Sequence, residues 1–270
     1  MSQRDRRWAR ARAWLDKHGL RDRDPQPLLV ARLEARRRGE LIGVGGAIVA
    51  VVAYFGWQAW RAATEAPMDA ASADRDFVGR LISMVAGYLL LAVGTLVALG
   101  YQRRADQRIA ATLRQRVART NASGARRLLV GWFAVTAIVL YGGGLLVGCT
   151  AALVASHPSD RAAATVFVAG VLGYAALGLA VVANVSRRPA IADDEASLLD
   201  DELLRREDVR QALVPYPAML ALVAGVGSHS DGLLLVFVGY ALIAAGVWAI
   251  TSRAATRSTV ANPMTGESTA

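Results

Sequence analysis

The chain has 270 residues, with 31 basic and 22 acidic side chains, a net charge of +9, 54% hydrophobic residues and a mean hydropathy of +0.32. Such values coexist only if charged and apolar residues are segregated along the chain, which excludes most soluble architectures. The single cysteine, Cys149, excludes an intramolecular disulfide and a CxxC metal or redox pair.

Residues 1–40 form a basic arm with 12 basic and 6 acidic side chains. Trp8, Trp14 and Leu15 among arginines predict a helix that closes at His18-Gly19, and Leu28–Arg38 predicts a second that runs on into the apolar stretch beyond. An arginine-rich helix with tryptophans suits the surface of an anionic inner leaflet, although flanking charge that merely sets topology accounts for the same residues. A cleavable leader is not expected, because the polar residues 1–40 are too many for the basic start of one.

Six stretches then contain no Asp, Glu, Lys or Arg: 41–60, 81–101, 128–155, 162–185, 213–228 and 233–250. Crossing the hydrocarbon takes roughly 20 apolar residues in a helix. The expected fold is therefore all-α, a polytopic integral membrane protein over 41–251 with six transmembrane helices as three hairpins. The fifth stretch is short and has Pro215 and Pro217 near its start. Trp57 and Trp60 close the first span on one side, and Tyr101, Trp132, Tyr216 and Trp248 are expected near the opposite interface.

The connections differ in character. Arg61–Arg80 is expected to be a 20-residue outer loop. Residues 102–120 read as a helix continuing the second span, with Ile109, Leu113 and Val117 on one side and Asn121–Gly124 as a turn after it. Residues 193–213 read as an acidic amphipathic helix, capped by Asp193, Asp194 or Ser197, with Leu198, Leu199, Leu203 and Leu204 as its apolar side. A flexible tail is expected over 252–270. Alternate connections carry 27 basic residues on one side and 4 on the other, so both termini are expected in the cytoplasm of a multi-pass cell-membrane protein.

The spans hold no ionisable carboxylate, lysine, arginine or histidine, which argues against a proton-coupled transporter and an intramembrane metalloprotease. No catalytic, cofactor-binding or firm metal residues are assigned, and no cofactor is expected. The one ligand-bearing set lies in the two short outer turns: His157, Asp160, His229 and Asp231. If those turns are neighbours, the set could hold Zn²⁺ or sense acid pH; otherwise its members are polar turn residues. The turns also hint at a repeat, Ser156-His157 leading to Val166-Phe167-Val168 and Ser228-His229 to Val236-Phe237-Val238. Nineteen of 25 glycines fall in the spans, and Gly144-x-x-x-Gly148 fits close helix packing.

The functional reading is a non-enzymatic scaffold or regulatory partner acting through cytoplasmic amphipathic helices. Its partners would be anionic inner-leaflet lipids and a protein held at 193–213; no recognition motif accompanies the basic charge, so nucleic acid is not expected. The alternative is a permease subunit driven by a separate ATPase, since six spans and an amphipathic arm resemble the permeases of ABC exporters in outline. The stretch Arg188–Glu202 (RRPAIADDEASLLDDE with its preceding arginine) resembles uncharacterised six-span membrane proteins of actinobacteria, which implies membrane insertion and no particular activity.

Overall fold

The computed structural model describes residues 2–64, 70–112, 132–192, 194–211 and 216–261, and every regular element among them is helical. Helix α1 (Gln3–Lys17) opens with a capping box in which the Ser2 side chain accepts from the Asp5 N–H and the Asp5 carboxylate from the Ser2 N–H. It closes where the sequence expects. Gly19 is left-handed (φ 76°), Leu20 N–H donates to Leu15 O at 2.9 Å and Gly19 N–H to Asp16 O at 3.2 Å, the pattern of a Schellman cap.

Helix α2 (Pro27–Thr64) starts on a proline, whose missing N–H would have no helical partner there, and runs unbroken through the first apolar stretch. Helix α3 (Ala70–Thr112) likewise carries the second stretch past Tyr101. The expected 20-residue loop between them is not there. Both helices extend into it and leave only residues 65–69 between their ends. Alanines at 62, 63, 70, 71 and 73 favour helix more than the neighbouring Asp and Ser oppose it.

The third apolar stretch is a composite of α4 (Trp132–Ala137), a π-helical turn (Ile138–Gly142) and α5 (Gly143–Val154). After it come α6 (Pro158–Arg187), α7 (Glu195–Gln211), α8 (Tyr216–Gly227) and α9 (Asp231–Ala261). Helix α9 continues well into the segment expected to be a tail. Residues 113–131, with the turn expected at 121–124, the start of the third stretch and the positions of Leu113 and Val117, lie outside the described residues. So do Asp193, Pro215 and 262–270.

Among the described residues, five helical segments are long and apolar enough to cross a membrane: Pro27–Trp60, Val78–Ala111, Ala134–Val154, Pro158–Arg187 and Asp231–Arg253. Large apolar side chains along them face outward, among them Leu41, Val49, Leu89, Leu153, Leu179, Leu235 and Ile243. An apolar exterior of that extent suits lipid and not water. The sixth stretch differs. Helix α8 has 12 residues, roughly 18 Å at about 1.5 Å per residue against a hydrocarbon core of about 30 Å. It is also buried on nearly all sides, with Pro217, Ala218, Leu220, Ala221, Val223, Ala224, Gly225 and Gly227 enclosed.

Sequential neighbours pack most extensively, α2 on α3, α5 on α6 and α8 on α9, while α6 and α3 also flank α8. Close approach depends on missing side chains. A Cβ on Gly148 would lie 2.6 Å from Val168 Cγ2 and 2.8 Å from Phe167 Cδ1, and one on Gly144 2.8 Å from Tyr240 Oη. Gly239 and Gly246 have open space instead, so the seven-residue glycine spacing of α9 is not a packing seam.

Tyrosine hydroxyls fasten the bundle across helices. Tyr54 on α2 donates to Val223 O at 3.1 Å and Tyr88 on α3 to Leu220 O at 2.9 Å, both on α8. Tyr174 donates to Tyr88 O at 3.3 Å, and Tyr240 to Leu140 O within the π turn. In surroundings without water each hydroxyl needs such a partner, and backbone carbonyls retain a second lone pair to accept it. Tyr216, expected at an interface, stacks on Tyr174 with ring centroids 4.6 Å apart and accepts from Thr95 Oγ1 at 2.8 Å.

Candidate functional site

Two places gather polar chemistry, one at each end of the bundle. The first is where the two short turns meet. Residues 155–157 and 228–230 are neighbours, and the His157 and His229 rings lie 5.8 Å apart. Asp160, in the first turn of α6, is 2% exposed, and its Oδ1 accepts from the His229 backbone N–H at 2.6 Å. The repeated words meet again deeper down, where Phe167 and Phe237 pack edge to face at 5.0 Å.

The arrangement does less for a ligand than the residue types suggest. Asp160 is occupied as a strap between turns, Asp231 opens α9 at the surface, and both imidazoles are exposed. No group of three or more His, Cys, Asp or Glu able to hold a metal exists among the described residues. Both carboxylates sit in first turns, where the positive end of the helix dipole favours them. Replacing Asp160 by Ala should therefore cost stability of about 1–2 kcal/mol, the scale of a lost charge-assisted hydrogen bond. Thermal unfolding in detergent would show it, and an unchanged midpoint would refute the strap.

The second place is the charged end, where α7 folds back onto α1 and α2. Its start is capped as one of the expected residues allows: Asp194 Oδ1 accepts from Ser197 N–H at 2.6 Å, and Ser197 Oγ accepts from Asp194 N–H at 3.0 Å. The bond from the Ser197 N–H, above all, holds the Asp194 carboxyl below its usual range. Leu203 and Leu204 pack with Trp14, Leu15 and Leu29 into a small core outside the bundle. Fully burying leucines such as Leu15 and Leu204 stabilises by roughly 1.5–3 kcal/mol each. Leu203 and Leu204 of the expected apolar side are thus covered by the arm of the same chain, whereas Leu199 is 38% exposed.

Beside that core lies a buried charge network. Arg36 makes a two-pronged bond to Asp208, Nε to Oδ1 at 3.1 Å and Nη2 to Oδ2 at 2.9 Å. Arg32 Nη2 reaches Asp201 Oδ1 at 2.7 Å, and Arg205 Nε reaches Asp201 Oδ2 at 2.7 Å. Asp106 on α3 sits among Arg32, Arg36 and Arg188 at 3.7–3.8 Å. Arg205 also donates to Arg188 O at 2.9 Å and Pro189 O at 2.8 Å, fixing the segment between α6 and α7. Burial pushes the Asp208 carboxyl up, and the Arg36 charge only partly offsets it. Desolvation likewise lowers the Arg188 guanidinium.

Glu207 ties α7 to α1. Its Oε2 accepts from Trp14 Nε1 at 3.0 Å, its Oε1 lies 3.4 Å from His18 Nε2, and Lys17 is 3.9 Å away. Burial alone would raise its pKa; the bonds from His18 and Trp14 outweigh that and leave it below the ordinary 4.5. A carboxylate depressed by folding contributes stability that is whole above its unfolded pKa and is lost as pH falls through the folded value. Acidification below 4.5 should therefore loosen α1 from α7, read as a change in Trp14 fluorescence, and Glu207→Gln should abolish that transition. The same transition in the variant would contradict it.

The sequence leaves open whether the two short turns meet and offers Asp194 as one of three possible caps. It assigned no role to Arg32, Arg36, Asp106, Asp201 or Asp208, because i-to-i+4 spacing within each helix does not reveal which helices meet. No family model, curated protein or solved structure matches the chain.

Proposed function

We propose that the chain is a multi-pass protein of the cell membrane, with six membrane segments in three hairpins and both termini in the cytoplasm. In this reading it is a non-enzymatic scaffold or regulatory partner that presents α1, α7 and the charged ends of α2 and α3 as one platform. The observation that carries the reading is the buried Arg36–Asp208 and Arg32–Asp201 pairing, which fixes α7 against the bundle. A helix anchored through its apolar side offers an outward face for other molecules; here that face includes Glu202 and Arg206. The 27-to-4 distribution of basic residues supports the orientation. The short, enclosed α8 takes the place of the fifth segment, reaching the outer turn without spanning the hydrocarbon alone.

Purification from native membranes in mild detergent, with mass spectrometry of companions, tests this function. A stoichiometric cytoplasmic protein other than an ATPase, lost when Glu202 and Arg206 are replaced by Ala, is the expected result. A stoichiometric ATPase would overturn the scaffold and support the permease subunit.

A further inference from the structure

We propose that the groove between α1, α2 and α3 at the charged end binds the phosphate of an anionic phospholipid headgroup. The inference rests on the membrane reading above and adds a defined site to it. The groove has a volume of about 650 Å³, within the roughly 300–1,000 Å³ usual for small-ligand sites. Its walls bring four guanidiniums, Arg4 and Arg7 from α1, Arg38 from α2 and Arg108 from α3, against one carboxylate, Glu34.

That carboxylate is already shared. Arg7, Arg10 and Arg38 lie 3.8, 3.4 and 3.5 Å from Glu34, while Arg4 and Arg108 make no ion pair among the described residues. Arg7 Nε is buried without a hydrogen-bond acceptor. The groove is thus a surplus of donors in fork geometry, which suits a phosphate oxygen pair.

Location selects a lipid over a soluble phosphate. Tyr101 lines the groove and ends the charge-free run of α3, while Trp8 lines it from α1, so aromatic rings sit where an interface would place them. Helical periodicity puts Leu41 and Ile42 on the face of Arg38, and Val97 on that of Tyr101. These side chains are 61%, 38% and 52% exposed and continue the groove as an apolar track into the bilayer, where acyl chains would lie. Basic pockets between membrane helices recognise lipid headgroups by this combination.

The test uses the full chain purified in neutral detergent and titrated with dioctanoyl phosphatidylglycerol, dioctanoyl phosphatidylcholine or inorganic phosphate, with binding read by native mass spectrometry and Trp fluorescence. The expected result is a preference for phosphatidylglycerol of about tenfold or more over phosphatidylcholine, with inorganic phosphate weaker than either lipid. Arg4→Gln with Arg108→Gln should lose about tenfold, because neither arginine supports the fold through an ion pair. Arg187→Gln with Arg253→Gln, an equal change of charge outside the groove, should keep the wild-type preference. Equal binding of both lipids, equal binding of inorganic phosphate, or equal losses in the two double variants would each overturn the site. Alkaline carbonate extraction separates this from the membrane reading: a chain released from membranes refutes the reading, whereas a retained chain without lipid preference refutes only the groove.

Discussion

Replacing Arg36 by Ala should destabilise the protein by about 3–5 kcal/mol, the cost of stranding one charge of a buried pair. The stranded group is Asp208, which is 8% exposed and bonded to Arg36 through both oxygens. Burial already holds its carboxyl above the usual range with the arginine present. Protonation relieves a raised carboxyl, so the deficit should shrink as pH is lowered. Thermal unfolding in mild detergent would give the size of the loss. Limited proteolysis would give its location, with new cleavage inside α7. A double replacement, Arg36→Met with Asp208→Leu, should recover most of the stability, since a packed apolar pair removes both desolvation costs. If the double variant were as unstable as the single one, the pair would be holding α7 by something other than charge.

The second large effect belongs to the middle of the bundle. Phe167 is fully enclosed, 5.0 Å from the Phe237 ring and 6.2 Å from that of Tyr240, and it abuts Gly148 on α5. Three helices therefore lose contacts if it is shortened. In a water-soluble core Phe→Ala costs roughly 3–5 kcal/mol, part transfer and part cavity. Lipid solvates separated apolar helices about as well as the protein interior does, so the transfer part largely falls away. Phe167→Ala should then cost about 2–3 kcal/mol of packing, and Phe167→Leu about 1 kcal/mol. Denaturation in mixed micelles would measure both. Equal and negligible losses would mean that the ring does not hold α5, α6 and α9 together.

The degree to which these features could be read beforehand follows from their range along the chain. Helix existence is a local property, and five of the six charge-free windows fall on the membrane-length helices among the described residues; the Schellman turn at Gly19 and the cap at Asp194 are equally local. The connection at 61–80 departs from the expected loop because its interspersed alanines favour continued helix from both sides. Helix α8 was visible as short, but its burial was not, since nothing in its own residues distinguishes a helix wrapped by protein from one wrapped by lipid. Nothing in the sequence sets Tyr54, Tyr88 and Tyr240 apart; their use as donors to carbonyls on other helices exists only after assembly. The same holds for the charge network. Arg36 and Asp208 are 172 residues apart, and no spacing rule connects them.

The two short turns show a different balance. Their repeated Ser-His words leave open whether the turns are neighbours, and the structure brings His157 to 5.8 Å from His229. The chemistry drawn from them depended on a third and a fourth ligand. Asp160 instead spends its carboxylate on the His229 backbone, so geometry gives the aspartate a structural part.

The placement of the platform is tested most directly by cysteine accessibility in a Cys149→Ala background. With Ala70→Cys, an impermeant maleimide should label intact cells. With Glu202→Cys, on the exposed side of α7, labelling should occur only after permeabilisation. Labelling of residue 202 in intact cells, with residue 70 protected until the membrane is opened, would contradict a platform on the cytoplasmic side.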